Sequence, residues 1–475
     1  MSRLHCLFCF QMLLLGCTPT GERDKHDTEQ ETFEQSQALT FSSNLPLVII
    51  DTQGQGIPTA DKVKARMQII PTNQKGVSYL NSSKEDTVPP LYDGWIGIER
   101  RGASSGSFPK KQFSLETRTA SGADTDIGPF GLPPEEDWIL HAPYSDKSLM
   151  RNHLAYWMSN EIGRWATHTV YVEAFINQEE NPFIEDQYWG IYLFMEKIKR
   201  DDNRVNIVKI GANDDEEPAV TGGYIFNYDR KRSSPDDCVY YPPELSTDQC
   251  LRIIAPKVED LTEAQRAWIV GYFEQFENTL SSDAFADPEN GYAELIDVDS
   301  FVDYLILHEL FKNIDGLRHS AYLHKDRNGR LKAGPYWDCN LCMGNADYFQ
   351  GMETTGWCLD IVSRRMTKSI PFWWKRLLAD PAFVDKLIER WRDIRRNILT
   401  DDHILAQIDD TAALLGEAQK RNFDRWPSMG VKIRFNPEPL AWTYEEEVEK
   451  LKQWLRERLT WMDENIETVA DLGAL

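Results

Sequence analysis

The hydrophobic pattern of this 475-residue chain changes from a two-residue repeat to a helical repeat along its length. Trp95–Arg100 and Gln112–Thr117 alternate apolar with polar residues, which is typical of half-buried antiparallel strands. Beyond residue 360, apolar residues recur with the period of an α-helix. This order predicts an α+β fold, with an antiparallel β-rich N-terminal part and a helical C-terminal part.

The same reasoning predicts the remaining elements. Further strands are expected at Leu45–Ile50, Ala65–Ile70, Tyr171–Ile176, Trp189–Met195 and Gly222–Tyr228. Helices are expected at Leu149–Ile162, Leu261–Leu280, Phe301–Phe311, Pro371–Leu378, Pro381–Leu399, Asp402–Lys420 and Tyr444–Ile466. Ser145 or Asp146 is the predicted N-cap of the first helix, and Thr262 that of the second.

Composition excludes two classes of protein. Fifteen Trp, 18 Tyr and 21 Phe supply enough core material to exclude a globally disordered chain. The net charge of −24, from 52 basic and 76 acidic residues, argues against non-specific binding to nucleic acid or anionic lipid. Local basic spots remain at Arg100-Arg101 and Lys110-Lys111.

The N-terminus has the pattern of an export signal. Arg3 precedes an apolar stretch, Leu4–Leu15, that is too short to span a bilayer. The stretch ends at Gly16-Cys17 and resembles a bacterial lipoprotein signal, in which the chain is cut before the cysteine and lipidated there. A secretory peptide with an incidental Cys17 is the alternative. We therefore expect a signal at residues 1–16, a flexible acidic tether at 17–42, and an exported protein that meets the membrane only through its lipid anchor.

Five cysteines follow the tether. Cys238 and Cys250 flank a Pro-rich loop, where a local disulfide is plausible outside the cytoplasm. Cys339 and Cys342 form a lone CxxC pair without the second ligand pair that a zinc site needs. A redox pair is conceivable there, but the preferred hypothesis is that one of the two bridges Cys358. Because five is odd, one thiol is expected to stay free and buried.

Two aspartates carry most of the chemical signal. Asp315 and Asp338 flank two short predicted strands, Ser320–His324 and Arg330–Gly334, which are joined by a tight turn. A hairpin returns the chain on itself, so both carboxylates can lie at one end of it. With Asn340, they would form an all-oxygen site for a hard divalent cation such as Mg²⁺, as phosphoryl transfer requires. The alternative is that both are ordinary turn aspartates.

Four other residues are candidate ligand contacts. Small residues at positions 102–107 can bring backbone amides and Lys111 close to a phosphate, although the Walker A spacing is missing and an ordinary hairpin loop is the alternative. Glu196 could order a lysine or bind through a cation, Arg151 opposes its helix dipole and could hold an anion, and Trp337 could stack on a base. Their structural alternatives are an exposed acid, a salt bridge and core packing.

Taken together, these segments resemble the CotH kinase family, the spore-coat-protein-H-like atypical kinases. The resemblance runs from about Leu45 to about Tyr348. The matching blocks are 101–111, 137–152, 188–197, 222–226, 313–316, 337–340 and 344–345. It implies a divergent protein-kinase-like domain at residues 43–350, with a helical extension at 351–475 packed on it. The usual kinase signatures His-Arg-Asp and Asp-Phe-Gly are absent.

The resemblance also implies an activity, which is ATP-dependent, Mg²⁺-dependent phosphorylation of Ser or Thr in a protein substrate. Carried over by motif, Lys111 is the phosphate-binding lysine, Asp315 the acid near the acceptor hydroxyl and Asp338 the metal ligand. Asn340 is carried over as a second metal ligand, and Arg151 and Glu196 as cofactor contacts.

Two alternative functions remain open at this point. ATP is scarce outside the cytoplasm, which motivates a catalytically inactive surface binding, adhesion or coat-assembly protein with the same fold. A carbohydrate-active enzyme with paired carboxylates is the third hypothesis, weakened by the dissimilar settings of Asp315 and Asp338. The phosphoacceptor and the oligomeric state stay open.

Overall fold

A closed barrel forms most of the N-terminal part. The strands there are β1 (Ser42–Ser43), β2 (Leu47–Asp51), β3 (Val63–Ile70), β4 (Ser78–Tyr79), β5 (Tyr92–Arg101), β6 (Gln112–Arg118), β7 (Asp137–His141), β8 (Thr169–Asn177) and β9 (Tyr188–Glu196). Seven of these described strands follow the order β2-β3-β5-β6-β7-β9-β8, and the parallel pair β2–β8 closes the ring. Closure gives every barrel strand two neighbours, so no barrel edge is left open.

The computed structural model describes residues 41–80, 88–180, 187–231, 237–243, 248–366 and 368–474. These residues belong to one compact unit, Leu39–Leu475. The expected signal peptide, nearly all of the tether and Cys17 lie outside the described residues. No helix among the described residues combines the length and the apolar character needed to cross a bilayer.

The alternation read from the sequence is what fills the barrel. Ile96 and Ile98 of β5 and Phe113 and Leu115 of β6 point into one apolar cluster and are at most 1% exposed. Burying such a side chain stabilises the fold by about 1.5–3 kcal/mol relative to leaving it in water. The predicted strands at these positions are confirmed, with ends that differ by a few residues.

A second sheet carries the predicted Asp315–Asp338 hairpin. Its strands are β10 (Tyr224–Arg230), β11 (Cys238–Tyr240), β12 (Gln249–Ala255), β13 (Ala321–Lys325) and β14 (Leu331–Ala333). Their order is β11-β12-β10-β13-β14, and β13 pairs antiparallel with β14. The hairpin prediction is therefore confirmed, whereas β7, β11 and β12 were not predicted from the sequence.

The described helices cover the centre and the C-terminal part. They are α1 (Arg151–Glu161), α2 (Glu263–Ser281), α3 (Val298–Leu310), α4 (Cys358–Arg365), α5 (Trp373–Leu378), α6 (Pro381–Asn397), α7 (Asp401–Leu415), α8 (Ala418–Arg425) and α9 (Tyr444–Asn465). Their apolar faces join one large core with the second sheet. The expectation of a β-rich N-terminal half and a helical C-terminus is thus confirmed.

Two helix predictions need correction. The single helix expected at Asp402–Lys420 is broken into α7 and α8, since the chain turns at Gly416 so that α8 can pack on β9. Neither predicted N-cap, Ser145 or Asp146, caps α1, which begins at Arg151 with Met150 at the N-cap position. Asp146 accepts instead from the Arg151 amide at 2.8 Å and from the Arg151 guanidinium at 2.6 Å.

The cysteines pair locally. Cys238–Cys250 is a disulfide, which confirms that prediction. The expected bridge to Cys358 is wrong, because Cys339 and Cys342 are bonded to each other. The turn after Asp338 places their Cα atoms 5.1 Å apart, within the range that a disulfide spans. Cys358 is the free, buried thiol of the described part of the chain.

Candidate active site

Asp315 and Asp338 lie close enough for their charges to interact. Helix α3 delivers Asp315 in the loop that follows it, and the hairpin β13–β14 returns the chain to Asp338. Partial desolvation by the surrounding protein raises the pKa of the Asp338 carboxyl, although the residue is exposed, and the negative charge of Asp315 raises the pKa further. Among the charged groups that act on Asp338, Asp315 has the largest effect on its pKa. The structure therefore brings the two predicted acids together.

The loop that carries Asp315 is shaped by close packing. Gly316 lies directly on the buried ring of His308, since a Cβ at this position would be 2.2 Å from Cε1 of that ring. The Asn313 side chain donates to the Tyr336 hydroxyl at 2.9 Å and to the Asp338 carbonyl at 3.1 Å. The two aspartate loops are therefore joined directly by one amide side chain.

The Asp315 carboxylate is held on both oxygens. Arg318 forms an ion pair with Oδ1, and the Tyr348 hydroxyl donates to Oδ2 at 2.8 Å. Burial raises the pKa of Tyr348, with a smaller contribution from Asp315, so the phenol stays a hydrogen-bond donor. Neither Arg318 nor Tyr348 was singled out from the sequence, because neither carries a motif of its own.

Asp338 has an unusual backbone and two side-chain partners. Its φ of 63° lies in the left-handed region, which costs a non-glycine residue of order 1 kcal/mol or more. Asn340 donates from Nδ2 to Oδ1 at 2.8 Å, and the Ser320 hydroxyl lies 3.4 Å from Oδ2. Asn340, the other predicted metal ligand, thus lies at the site beside Asp338.

Besides Arg318, the structure brings a second cation, Arg101, close to Asp338. It ends β5 and lies over the Trp337 ring, with its guanidinium carbon 5.5 Å from the centroid. Its positive charge also acts on Asp338. Trp337 also stacks on Tyr156, at 5.7 Å between ring centroids. From the sequence, Arg101 was noted as part of a basic spot and as the first residue of a block that resembles the family, without a role of its own.

Lys111 is hydrogen-bonded within its own loop. Its Nζ donates to the Gly106 carbonyl at 2.8 Å, within the same loop. Lys110 is buried, and its Nζ donates to the Ile191 carbonyl at 2.6 Å and to Asn422 Oδ1 at 2.7 Å. Neither lysine has a described contact with the two acids, so a phosphate-binding role for Lys111 stays a prediction.

Arg151 and Glu196 are both buried and bonded to protein groups. Arg151 is 3% exposed, pairs with Glu447 at 3.0 Å and donates to the Met343 carbonyl at 3.2 Å, in the loop after Asp338. Glu196 is 0% exposed and accepts from the His168 ring at 2.8 Å. Their predicted cofactor contacts remain untested predictions.

A polar network that the sequence did not reveal lies beneath Asn340. Asn152 of α1 donates to Asn340 Oδ1 at 2.8 Å and accepts from the Cys339 amide at 2.7 Å. Its Nδ2 is also 2.9 Å from the ring of His141 in β7. Only the fold brings these residues together, because Asn152 and Asn340 are 188 positions apart.

A separate group of carboxylates contains Asp126, Glu135 and Glu136. The ammonium of Lys199 already lies 2.7 Å from both glutamates. Burial raises the pKa of Glu135 to about 7. Because this group has its own protein cation, it is not a second candidate centre.

Comparison with known proteins supplies the family. No curated protein matches the chain. The family model described as CotH kinase protein matches residues 98–462, which include Arg101, both aspartates and most of the helical C-terminal part. The matched region exceeds half of the chain. The chain therefore belongs to the CotH kinase family.

Proposed function

We propose that this protein is a Mg²⁺-dependent atypical kinase that transfers the γ-phosphate of ATP to Ser or Thr of a protein substrate, in a divergent protein-kinase-like fold. The observation that carries the proposal is that Asn313 is hydrogen-bonded to the backbone of both Asp315 and Asp338, which keeps the two carboxylates close enough to interact. Membership of the CotH kinase family supports the same chemistry.

The donor set fits a hard divalent cation. Asp315, Asp338 and Asn340 offer oxygen atoms, which are the ligands that Mg²⁺ prefers. Desolvation raises the pKa of Asp338, and the charge of Asp315 raises it further; a bound divalent cation would offset this repulsion between the two carboxylates. Asp338 is our candidate principal ligand, with Asn340 beside it.

The other side chains divide the remaining tasks. When bound, ATP would supply the phosphoryl group, and the Mg²⁺ ion would neutralise part of the charge on the phosphates. Asp315 orients the acceptor hydroxyl and takes its proton, while Arg318 and Tyr348 fix the direction of that carboxylate. Arg101 and Lys111 are the candidate phosphate contacts, and preorganised charge supplies most of the barrier lowering.

We also propose that the protein acts at the cell envelope, on a protein substrate and without nucleic acid. The lipoprotein-like ending at Cys17 supports export and anchoring. The net charge of −24 supports the exclusion of nucleic acid.

A second candidate function is binding without catalysis, as a surface adhesion or coat-assembly protein. The specific observation in its favour is that Lys111, Arg151 and Glu196 are all bonded to protein groups. This arrangement would be sufficient for a stable body that never holds a nucleotide.

The two candidates differ in nucleotide binding and in transfer. The mature protein is incubated with γ-labelled ATP, MgCl₂ and an envelope protein fraction, beside Asp338→Asn and the control Asp360→Asn, a half-buried aspartate that pairs with Arg364 on its own helix. We expect label on Ser or Thr with the parent and the control, and at least about a hundredfold less with Asp338→Asn. Saturating Mg²⁺–ATP should also raise the free energy of unfolding by roughly 2.7 kcal/mol at 100 times Kd. Absence of both label and stabilisation would favour the binding protein.

A further inference from the structure

Asn152 lies at the start of α1 with its carboxamide fully engaged. The residue is 3% exposed. Oδ1 accepts from the Cys339 backbone amide at 2.7 Å, and Nδ2 lies 2.8 Å from Asn340 Oδ1 and 2.9 Å from His141 Nε2. All its hydrogen-bonding atoms therefore join the loop after Asp338 to the barrel strand β7.

The direction of each hydrogen bond follows from one fixed donor. The backbone N–H of Cys339 can only donate, so the atom of Asn152 facing it is the oxygen. Nδ2 then has two hydrogens to give, and both neighbours, Asn340 Oδ1 and His141 Nε2, must accept. His141 consequently carries its hydrogen on Nδ1 and donates it to Gln112 Oε1, 3.0 Å away on β6.

The same logic orients Asn340. Because Oδ1 faces Asn152, Nδ2 faces Asp338 and donates to its Oδ1 at 2.8 Å. An sp² oxygen has a second lone pair, so Asn340 Oδ1 can still bind a cation. An inverted Asn340 amide would instead set an oxygen against the Asp338 carboxylate.

We propose that Gln112, His141 and Asn152 form a relay that positions the candidate metal loop, with Asn152 as its central positioning residue. The relay transmits the geometry of β6 and β7 to Asn340 and, through it, to Asp338. None of the three relay residues is assigned to touch the nucleotide. This inference rests on the proposed function, because the loop matters only if Asp338 holds a metal ion.

The test is Asn152→Asp, read by titration of Mn²⁺ in the presence of a non-hydrolysable ATP analogue. The substitution keeps the size and the acceptor for Cys339 but removes both donated hydrogen bonds. Disrupting a residue that orients metal ligands typically lowers metal affinity by about 10–100-fold. Added negative charge alone would strengthen Mn²⁺ binding, so the direction of the change separates the two effects.

Asn160→Asp is the matched control. Asn160 is on the same helix, donates to the Ala166 carbonyl at 3.0 Å and accepts from its amide at 2.9 Å, with no contact to the metal loop in the described residues. We expect Mn²⁺ affinity within twofold of the parent for this variant. If Asn152→Asp fails to fold, Gln112→Met removes the end acceptor of the relay, and a loss of about fivefold is expected.

The failures can be told apart. If Asn152→Asp binds Mn²⁺ as tightly as the parent, the relay is overturned and the proposed function is unaffected. Where Asn152→Asp does not fold, the same result in Gln112→Met leads to the same conclusion. No Mn²⁺–nucleotide binding by the parent would reject the proposed function. In that case the ¹⁵N spectrum of the His141 ring at pH 7 still decides on the relay. A hydrogen on Nδ1 is expected, and a hydrogen on Nε2 would overturn it.

Discussion

The Tyr348 hydroxyl donates to Asp315 Oδ2 at 2.8 Å, from a loop that begins after Asp338. This hydrogen bond ties the candidate base to the loop of the candidate metal ligand. It gives the base a fixed direction, because Arg318 holds its other oxygen.

Replacing Tyr348 with Phe removes that hydrogen bond and little else. One lost hydrogen bond is worth about 1 kcal/mol, so kcat should fall about fivefold, with the KM for ATP unchanged. Tyr292→Phe is the matched control, since Tyr292 donates to Asp380 at 2.6 Å outside the site. Steady-state kinetics of both variants measure kcat and the KM for ATP. Equal losses of kcat in both variants would contradict a specific role for Tyr348.

Arg101→Ala tests which cation meets the phosphates. Arg101 lies over Trp337 and acts on Asp338, whereas Lys111 donates to its own loop. We expect the Kd for ATP to rise at least tenfold, since a charge-assisted hydrogen bond contributes about 1.5–3 kcal/mol. Arg100→Ala should bind ATP as the parent does. Isothermal titration calorimetry of Arg101→Ala, Arg100→Ala and Lys111→Ala measures these Kd values. A larger loss of ATP affinity in Lys111→Ala than in Arg101→Ala would reverse this assignment.

Acid should destabilise the fold through its buried histidines. Burial lowers the pKa of His308 to about 3, against about 6.5 in the unfolded chain. Between these values the unfolded chain binds a proton that the folded chain excludes, so the free energy of unfolding falls as pH decreases. The contribution is fully present above pH 6.5 and is lost at up to about 1.4 kcal/mol per pH unit below it. Burial similarly lowers the pKa of His141, to about 3.

Urea unfolding at pH 7.5 and pH 5.5 measures this effect. His308→Phe keeps an aromatic ring in the site but cannot bind a proton. Between the two pH values, the free energy of unfolding of this variant should fall by about 1 kcal/mol less than that of the parent. An identical pH dependence in both proteins would mean that the pKa of His308 is the same in the folded and the unfolded chain.

The free thiol should be unreactive in the folded protein. Cys358 is 1% exposed, and burial raises the pKa of its thiol well above the usual range. Within residues 41–475, a thiol reagent should therefore modify no cysteine in buffer and one in denaturant, with the disulfides Cys238–Cys250 and Cys339–Cys342 intact. Mass spectrometry after labelling counts the sites, and modification of Cys339 in buffer would show that its disulfide is open.

The C-terminal helices should be required for barrel stability. Arg421 of α8 pairs with Glu173 of β8, whose side chain is 0% exposed, at 2.7 Å. Removing one partner of such a pair leaves an uncompensated buried charge, so Arg421→Met should cost about 3 kcal/mol. The neighbouring Lys420→Met breaks only an exposed pair with Glu417 and should leave the melting temperature unchanged. Calorimetry of both variants makes the comparison.

The sequence predicted local features well and long-range ones poorly. The β13–β14 hairpin and the N-cap at Thr262 are determined by residues that are close in sequence, and both predictions are confirmed. The direction in which the Arg101 side chain points depends on the register of β5 in the barrel. The hydrogen-bond partners of Asn152 come from distant segments of the chain. Such contacts leave no periodic signal in the sequence.

The cysteines illustrate the same limit. Cys238 and Cys250 share a loop, and their pairing could be inferred from spacing. The choice between a bond within CxxC and one to Cys358 depends on how the turn after Asp338 folds. That turn holds Asp338 at φ 63°, a conformation that Asp tolerates but that its residue type alone does not specify at this position.

Barrel closure also sets how many distant segments must meet before the native state can form. Leu47 of β2 pairs with Glu173 of β8, and Glu173 in turn pairs with Arg421 of α8. The first barrel strand therefore gains its second neighbour only from a segment more than a hundred residues later, and that segment is completed by a helix later still. The barrel should therefore form in a late, concerted folding event.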